Sequence, residues 1–243
     1  MGLKITNYYS INFSLPKRSK KKIRFIIIHY TGMKREKSAI KKLCNHKSKV
    51  SSHYFIKKNG NILRLVPDLY EAWHAGKSSW KKKRFLNKNS IGIEIHNPGH
   101  DHGYINFSTK QIFSLKKLLI KLLYYYKINI KNVLGHSDIA PERKKDPGEK
   151  FPWKKLAKSK LVKWHNLDEK KLKKFRLKNL NLVEEKLFIN NLIKIGYKSN
   201  KMTQSNNINK NLFKTFQRRF RQSLINGKPD KECLIISEDL LKT

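Results

Sequence analysis

Cysteine is nearly absent: the two present, Cys44 and Cys233, lie far apart and beside no partner motif. This argues against a disulfide framework and suits reduced thiols in a cytosol-like compartment. Long apolar runs are also missing. A membrane span needs roughly 18 such residues, whereas Phe25-Ile26-Ile27-Ile28 has only the length of a buried strand. The first 22 residues lack the basic start, apolar stretch and cleavage site of a secretory signal, and they hold no cysteine for a lipid anchor. The expected location is therefore cytoplasmic, with the cell envelope as the alternative. Acid is scarce too, with 17 Asp and Glu against 56 Lys and Arg, for a formal net charge of +39. Such a charge invites nucleic acid. Yet the lysines are spread along the whole chain together with Asn and Ile, all encoded by AT-rich codons, so genome composition alone can account for them. No helix-turn-helix, zinc-finger or ribonucleoprotein signature is present either. No specific nucleic-acid partner is expected, only general attraction to anionic polymers.

What is present can build a core: 38% hydrophobic residues, including twelve Phe, ten Tyr and four Trp. A buried strand is predicted over 23–30 and a helix over 36–45. Two strand-like runs, 53–56 and 62–65, flank Asn59-Gly60, a strong hairpin signal. Another strand is expected over 91–95, a long amphipathic helix over 109–126 capped by Thr109, and a short strand over 132–134. Strands interleaved with helices indicate an α/β domain over 1–165. A basic connector, 166–181, leads to a segment of different character, 182–243. There, helices over 184–195, 209–222 and 231–241 predict a three-helix bundle, with a polar loop over 198–207. At roughly 60 residues it is about the smallest unit that folds alone.

Nine histidines offer several candidate metal sites. His29 ends one predicted strand and His136 another, and neighbouring strand ends are where ligands converge in an α/β sheet. Ten residues on, Asp146 sits in an Asp-Pro-Gly turn that fixes its direction. Two imidazoles and a carboxylate would leave a fourth tetrahedral position for water, the pattern of a catalytic zinc. The same spacing equally suits unrelated, hydrogen-bonded residues at strand ends. His96, His100 and His102 cluster around a Pro-Gly turn, which reads as a solvated loop rather than a second metal site.

Six blocks occur in a family order across 23–155: FIIIHYT at 25–31, VSSHY at 50–54, AWHAG at 72–76, SIGIE at 90–94, GHSDIAP at 135–141, and RKKDPG through FPW at 143–153. Together they resemble the zinc N-acetylmuramoyl-L-alanine amidases. The resemblance implies a mixed β-sheet flanked by helices, one Zn2+ per chain, and hydrolysis of the amide between N-acetylmuramic acid and L-alanine in peptidoglycan or muropeptides. It implies that His29, His136 and Asp146 bind the metal, Glu94 acts as general base, and Lys144 stabilises the oxyanion. Asp at the third ligand position is similar to the bacterial AmpD and AmiD branch, whereas animal recognition amidases usually place Cys there. His53 and His74 lie in family blocks, as groove-lining residues or as braces for the metal ligands. Trp73 is a candidate for stacking on a sugar face or for the core, and Asn97 for a hydrogen bond to the peptide. The C-terminal segment resembles the helical peptidoglycan-binding module, although Phe213, Phe216, Phe220 and Leu224 also suit a plain core stripe. A monomer is expected. The alternatives are a non-catalytic peptidoglycan binder and a basic nucleic-acid binder.

Overall fold

A computed structural model describes residues 3–198 and 206–242. Its strands are β1 (Ile5–Asn7), β2 (Phe13–Ser14), β3 (Phe25–Tyr30), β4 (Tyr54–Ile56), β5 (Ile62–Arg64), β6 (Glu71–Ala72), β7 (Ser79–Trp80), β8 (Lys83–Arg84), β9 (Ser90–Ile95) and β10 (Val133–Gly135). Six of them form one sheet in the order β1-β5-β4-β9-β3-β10, while β2 pairs with β6 and β7 with β8. The pairing of β4 with β5 is antiparallel and the other pairings in the large sheet are parallel. The expected mixed sheet is therefore present. β1, which no sequence pattern suggested, adds an edge strand of three partly or fully exposed residues.

The helices are α1 (Glu36–Cys44), α2 (Thr109–Tyr126), α3 (His136–Ile139), α4 (Trp153–Lys158), α5 (Glu169–Leu172), α6 (Leu182–Ile195), α7 (Asn206–Phe220) and α8 (Lys231–Lys242). The cap of α2 is Ser108 rather than Thr109. Ser108 Oγ accepts the Gln111 N–H at 3.1 Å and Gln111 Oε1 accepts the Ser108 N–H at 3.0 Å. Only Ser108 has a Gln three residues on to close this reciprocal box.

Strand alternation decides which side chains meet. Ile26 and Ile28 of β3, with Ile91, Ile93 and Ile95 of β9, pack under Ile112, Leu115 and Leu119 of α2. Phe25 and Ile27 point to the other face, where one continuous apolar cluster joins them to Phe188, Phe213, Phe216 and Leu240 of the C-terminal helices. His29 follows Phe25 and Ile27 onto that face, as Ser90, Gly92 and Glu94 follow each other along β9, and His29 is in register with Glu94.

The stretch 166–181 carries α5 and is bonded to the start of α8. Arg176 pairs with Glu232 at 2.6 Å, and Asn179 bridges to Asp230. Most of the polar loop expected over 198–207 lies outside the described residues. No helix among the described residues is long and apolar enough to cross a membrane.

Candidate active site

His29 at the end of β3, His136 at the start of α3 and Asp146 in the following turn converge. His29 Nδ1 lies 2.9 Å from His136 Nδ1, and each lies 3.1 Å from Asp146 Oδ2. All three residues are buried. Among the described residues no other group of His, Cys, Asp and Glu comes together in this way.

The protons on these rings can be worked out from a backbone carbonyl inward. Ser90 Oγ–H donates to the Leu86 carbonyl at 2.6 Å, so its oxygen accepts from His74 Nε2–H at 3.1 Å. His74 Nδ1 is then a lone pair and accepts from His29 Nε2–H at 3.0 Å. That leaves His29 Nδ1 without a proton. His136 Nε2–H donates to the Ala75 carbonyl at 3.2 Å, which likewise leaves its Nδ1 bare. Two bare nitrogens and a carboxylate oxygen thus face one another. Three acceptors this close repel unless a cation or a shared proton lies among them.

A metal ion fits this arrangement. Tetrahedral donors at roughly 2.1 Å from zinc stand about 3.4 Å apart. The observed 2.9–3.1 Å triangle needs to open by only a few tenths of an ångström. Burial followed by the neighbouring His136 lowers the His29 pKa to about 4. Burial alone would raise that of Asp146, but positive charge set among the three acceptors, as a proton shared with His136 or His29, holds the carboxyl far below its ordinary range.

The triad opens into a cleft of about 460 Å³, whose walls include Glu94, Lys144, Trp73, His74, Tyr30 and Arg143. Glu94 Oε2 is buried without a hydrogen-bond partner. Burial, then the Asp146 charge, raises its pKa to about 8. An unpartnered buried carboxyl oxygen in the same cleft wall as three converging acceptors is the pattern of a functional site. Lys144 follows α3 in the same wall, its N–H bonded to the Ala140 carbonyl at 3.0 Å.

The remaining expected residues divide. Trp73 borders the cleft while its indole N–H is tied to Ser14 Oγ at 2.7 Å. His74 borders the cleft and bonds His29. His53 lies outside the cleft wall, fully buried, its Nδ1 accepting the Gly92 N–H at 2.9 Å and its Nε2–H donating to the Tyr70 carbonyl at 3.0 Å. Asn97 is buried and spends its amide on the Ile105 carbonyl and the Gly99 N–H. The loop expected to be solvated is only partly so. His96 is buried, and His100 joins Tyr30 Oη at 2.7 Å to Glu149 at 3.1 Å.

Ser90, Gly92 and Arg143 lie in the blocks named above, but neither they nor Arg18 carried an expected role. A Cβ on Gly92 would overlap the His74 imidazole, so glycine makes room for the ring. Arg18, one member of a basic run, is buried and donates to the Asn87, Ser90 and Asp68 carbonyls. Arg143 Nη2–H donates to the Ala75 carbonyl that His136 also uses. The signal for Arg18 was its being the one guanidinium among lysines.

Comparison with known proteins agrees with this architecture. The family model described as N-acetylmuramoyl-L-alanine amidase matches residues 19–149. N-acetylmuramoyl-L-alanine amidase AmiD of Escherichia coli (strain K12) is 33% identical over 233 residues, covering 91% of this chain and 83% of that protein. The structure of E. coli AmiD with anhydro-N-acetylmuramic acid-L-Ala-D-gamma-Glu-L-Lys superposes with a TM-score of 0.81 at 32% identity, over 94% of this chain and 92% of that one. AmpDh3 from Pseudomonas aeruginosa in complex with anhydromuramic pentapeptide gives 0.80 at 29% identity, over 94% and 95%. With a matching fold, a matching length and a cleft built at the family's own blocks, the chain belongs to the N-acetylmuramoyl-L-alanine amidases.

Proposed function

We propose that the chain hydrolyses the amide between N-acetylmuramic acid and L-alanine in muropeptides, with one zinc ion held by His29 Nδ1, His136 Nδ1 and Asp146 Oδ2. The observation that carries this reading is the convergence of three acceptor atoms, each histidine's second nitrogen already committed as a donor. The muropeptide ligands of the E. coli AmiD and P. aeruginosa AmpDh3 structures support the substrate class. A zinc ion there would supply Lewis acidity, acidifying water and polarising the scissile carbonyl.

The chain's own groups supply the rest. Glu94, ionised when a cation offsets its burial and the Asp146 charge, takes the proton of the attacking water and returns it to the alanine nitrogen as the C–N bond breaks. Lys144 faces the same space and offers its ammonium to the oxyanion of the tetrahedral intermediate. His74 orients His29, and Trp73 presents an aromatic wall to the glycan side. His53 and Asn97 act behind the cleft as supports, since their polar atoms are already bonded.

The test is cleavage of purified anhydro-muropeptide, followed by mass spectrometry, for wild type and Asp146→Ala. Wild type should release the free peptide and lose that activity with a chelator, and the variant should bind no zinc. A variant that keeps full zinc content and rate would overturn the metal assignment. A wild type that leaves every muropeptide intact would overturn the substrate.

A further inference from the structure

The last turn of α7 reaches back across the molecule to two of the three segments that carry triad residues, those around His136 and Asp146. Arg219 forms a buried ion pair with Asp138 of α3, and its Nη2–H donates to the Val133 carbonyl of β10 at 3.0 Å. Tyr197, just beyond α6, donates its hydroxyl to the other Asp138 oxygen at 2.8 Å. Asp138 in turn accepts the Gly135 N–H at 2.7 Å, on the residue immediately before His136. Asp138, Arg219 and Tyr197 are each at least 95% buried, and the Arg219 guanidinium lies 4.1 Å from the centre of the Trp153 ring. The neighbouring Gln222 donates to the Phe151 carbonyl at 2.7 Å, and Arg218 stands 4.0 Å from Glu149, in the segment that follows Asp146.

Two helical elements could be docked on a sheet by apolar contact alone. The shared cluster of Phe25, Ile27, Phe188 and Phe216 already provides such contact. A buried ion pair adds little to docking, because desolvation consumes most of its attraction. It does impose geometry. Here that geometry converges on one carboxylate, which closes a one-turn helix whose first residue is His136. Such a helix is too short to hold itself. Beyond its Ser137 N–H bond to the Asp146 carbonyl at 2.8 Å, side chains of the C-terminal segment hold it from outside.

We propose that Arg219 and Tyr197, acting through Asp138, are positioning residues for His136. The C-terminal bundle is then a structural part of the metal site as well as a module beside it. The proposal rests on the metal assignment made above, and its test separates the two. Full-length wild type, Arg219→Lys, Arg219→Met, Tyr197→Phe and Arg176→Met are stripped of metal. Zinc affinity is then measured by chelator competition, the visible spectrum after cobalt loading is recorded, and thermal stability is followed in parallel. Arg219→Met should weaken zinc by about tenfold or more and alter the cobalt bands. Tyr197→Phe should do so less, and Arg219→Lys, which keeps the charge but not the second donor, should fall between wild type and Arg219→Met. Arg176→Met, which breaks the Arg176–Glu232 pair inside the C-terminal segment, should lower stability and leave affinity and spectrum unchanged. Should Arg219→Met not fold, Tyr197→Phe and Arg219→Lys decide the matter. Lower melting temperatures with wild-type affinity and cobalt spectrum in these variants would overturn the proposal. Wild-type metal binding that Asp146→Ala does not weaken would instead overturn the metal site itself.

Discussion

Gly92 and His74 offer a sharp test of how β9 holds the site. A Cβ placed on Gly92 would stand 2.6 Å from His74 Nδ1. Comfortable contacts lie near 3.5 Å, so the ring must retreat by about 1 Å. His74 is packed edge-on against both His29 and His53 at 5.1 and 5.6 Å, so retreat stretches the 3.0 Å bond to His29 out of range. Overpacking of this kind costs about 1–3 kcal/mol of stability. Losing the group that orients a metal-binding histidine costs about 10–100-fold in metal affinity, which is roughly 1.4–2.8 kcal/mol of binding. His74→Ala should lose similar affinity, and it opens the space that a methyl on residue 92 needs. In the His74→Ala background, Gly92→Ala should therefore be close to neutral for stability, a coupling of about 1–3 kcal/mol. Urea unfolding of the metal-free proteins gives the stability cycle, and chelator competition gives the affinities. Strict additivity in the unfolding cycle would refute the steric account of Gly92.

Glu94→Gln should retain zinc stoichiometry while turnover falls by about 10²–10⁴-fold, checked by metal analysis beside the muropeptide assay. Lys144→Met should lower kcat by roughly 10²–10³-fold with zinc affinity unchanged, and an effect confined to KM would count against an oxyanion role. Acid should destabilise the protein through His53, whose pKa burial, then Arg18, lowers to about 3 from 6.5. The unfolded state binds a proton that the folded state refuses, so stability is full above pH 6.5 and is lost as the pH falls towards 3. At pH 5 this group alone costs about 2 kcal/mol. His53→Asn, which keeps an acceptor for Gly92 but does not titrate, should flatten the drop between pH 7.5 and 5 in denaturant titrations. Parallel pH profiles for the two proteins would contradict the assignment.

The parts of this molecule legible in its sequence are those governed by neighbours in the chain. Alternation in Ser90-Ile91-Gly92-Ile93-Glu94-Ile95 announces a strand with one apolar face, and the Asn59-Gly60 pair announces the hairpin that joins β4 to β5. His29, His136 and Asp146 stood out because each ends or follows such an element. The Ser90 hydroxyl did not, because its meaning depends on His74 and on the Leu86 carbonyl. Arg18 is one cation among many until burial selects it. The link between Arg219 and Asp138 spans 81 positions, and no local period records it. Asn97, read as a peptide contact, and His53, read as either groove-lining or bracing, both sit in or near the family blocks, and both side chains turn into the interior. Position in a block says little about which way a side chain points.

β9 divides its six residues evenly, with isoleucines at 91, 93 and 95 in the core under α2 and Ser90, Gly92 and Glu94 towards the side that carries His29. This parity limits how the gene can vary in length. Gaining or losing one codon within the strand would turn isoleucines towards the cleft and drive a carboxylate, a hydroxyl and a glycine beneath α2. Substitutions can be tried there one at a time, but insertions and deletions must fall outside 90–95, in the connections before and after it.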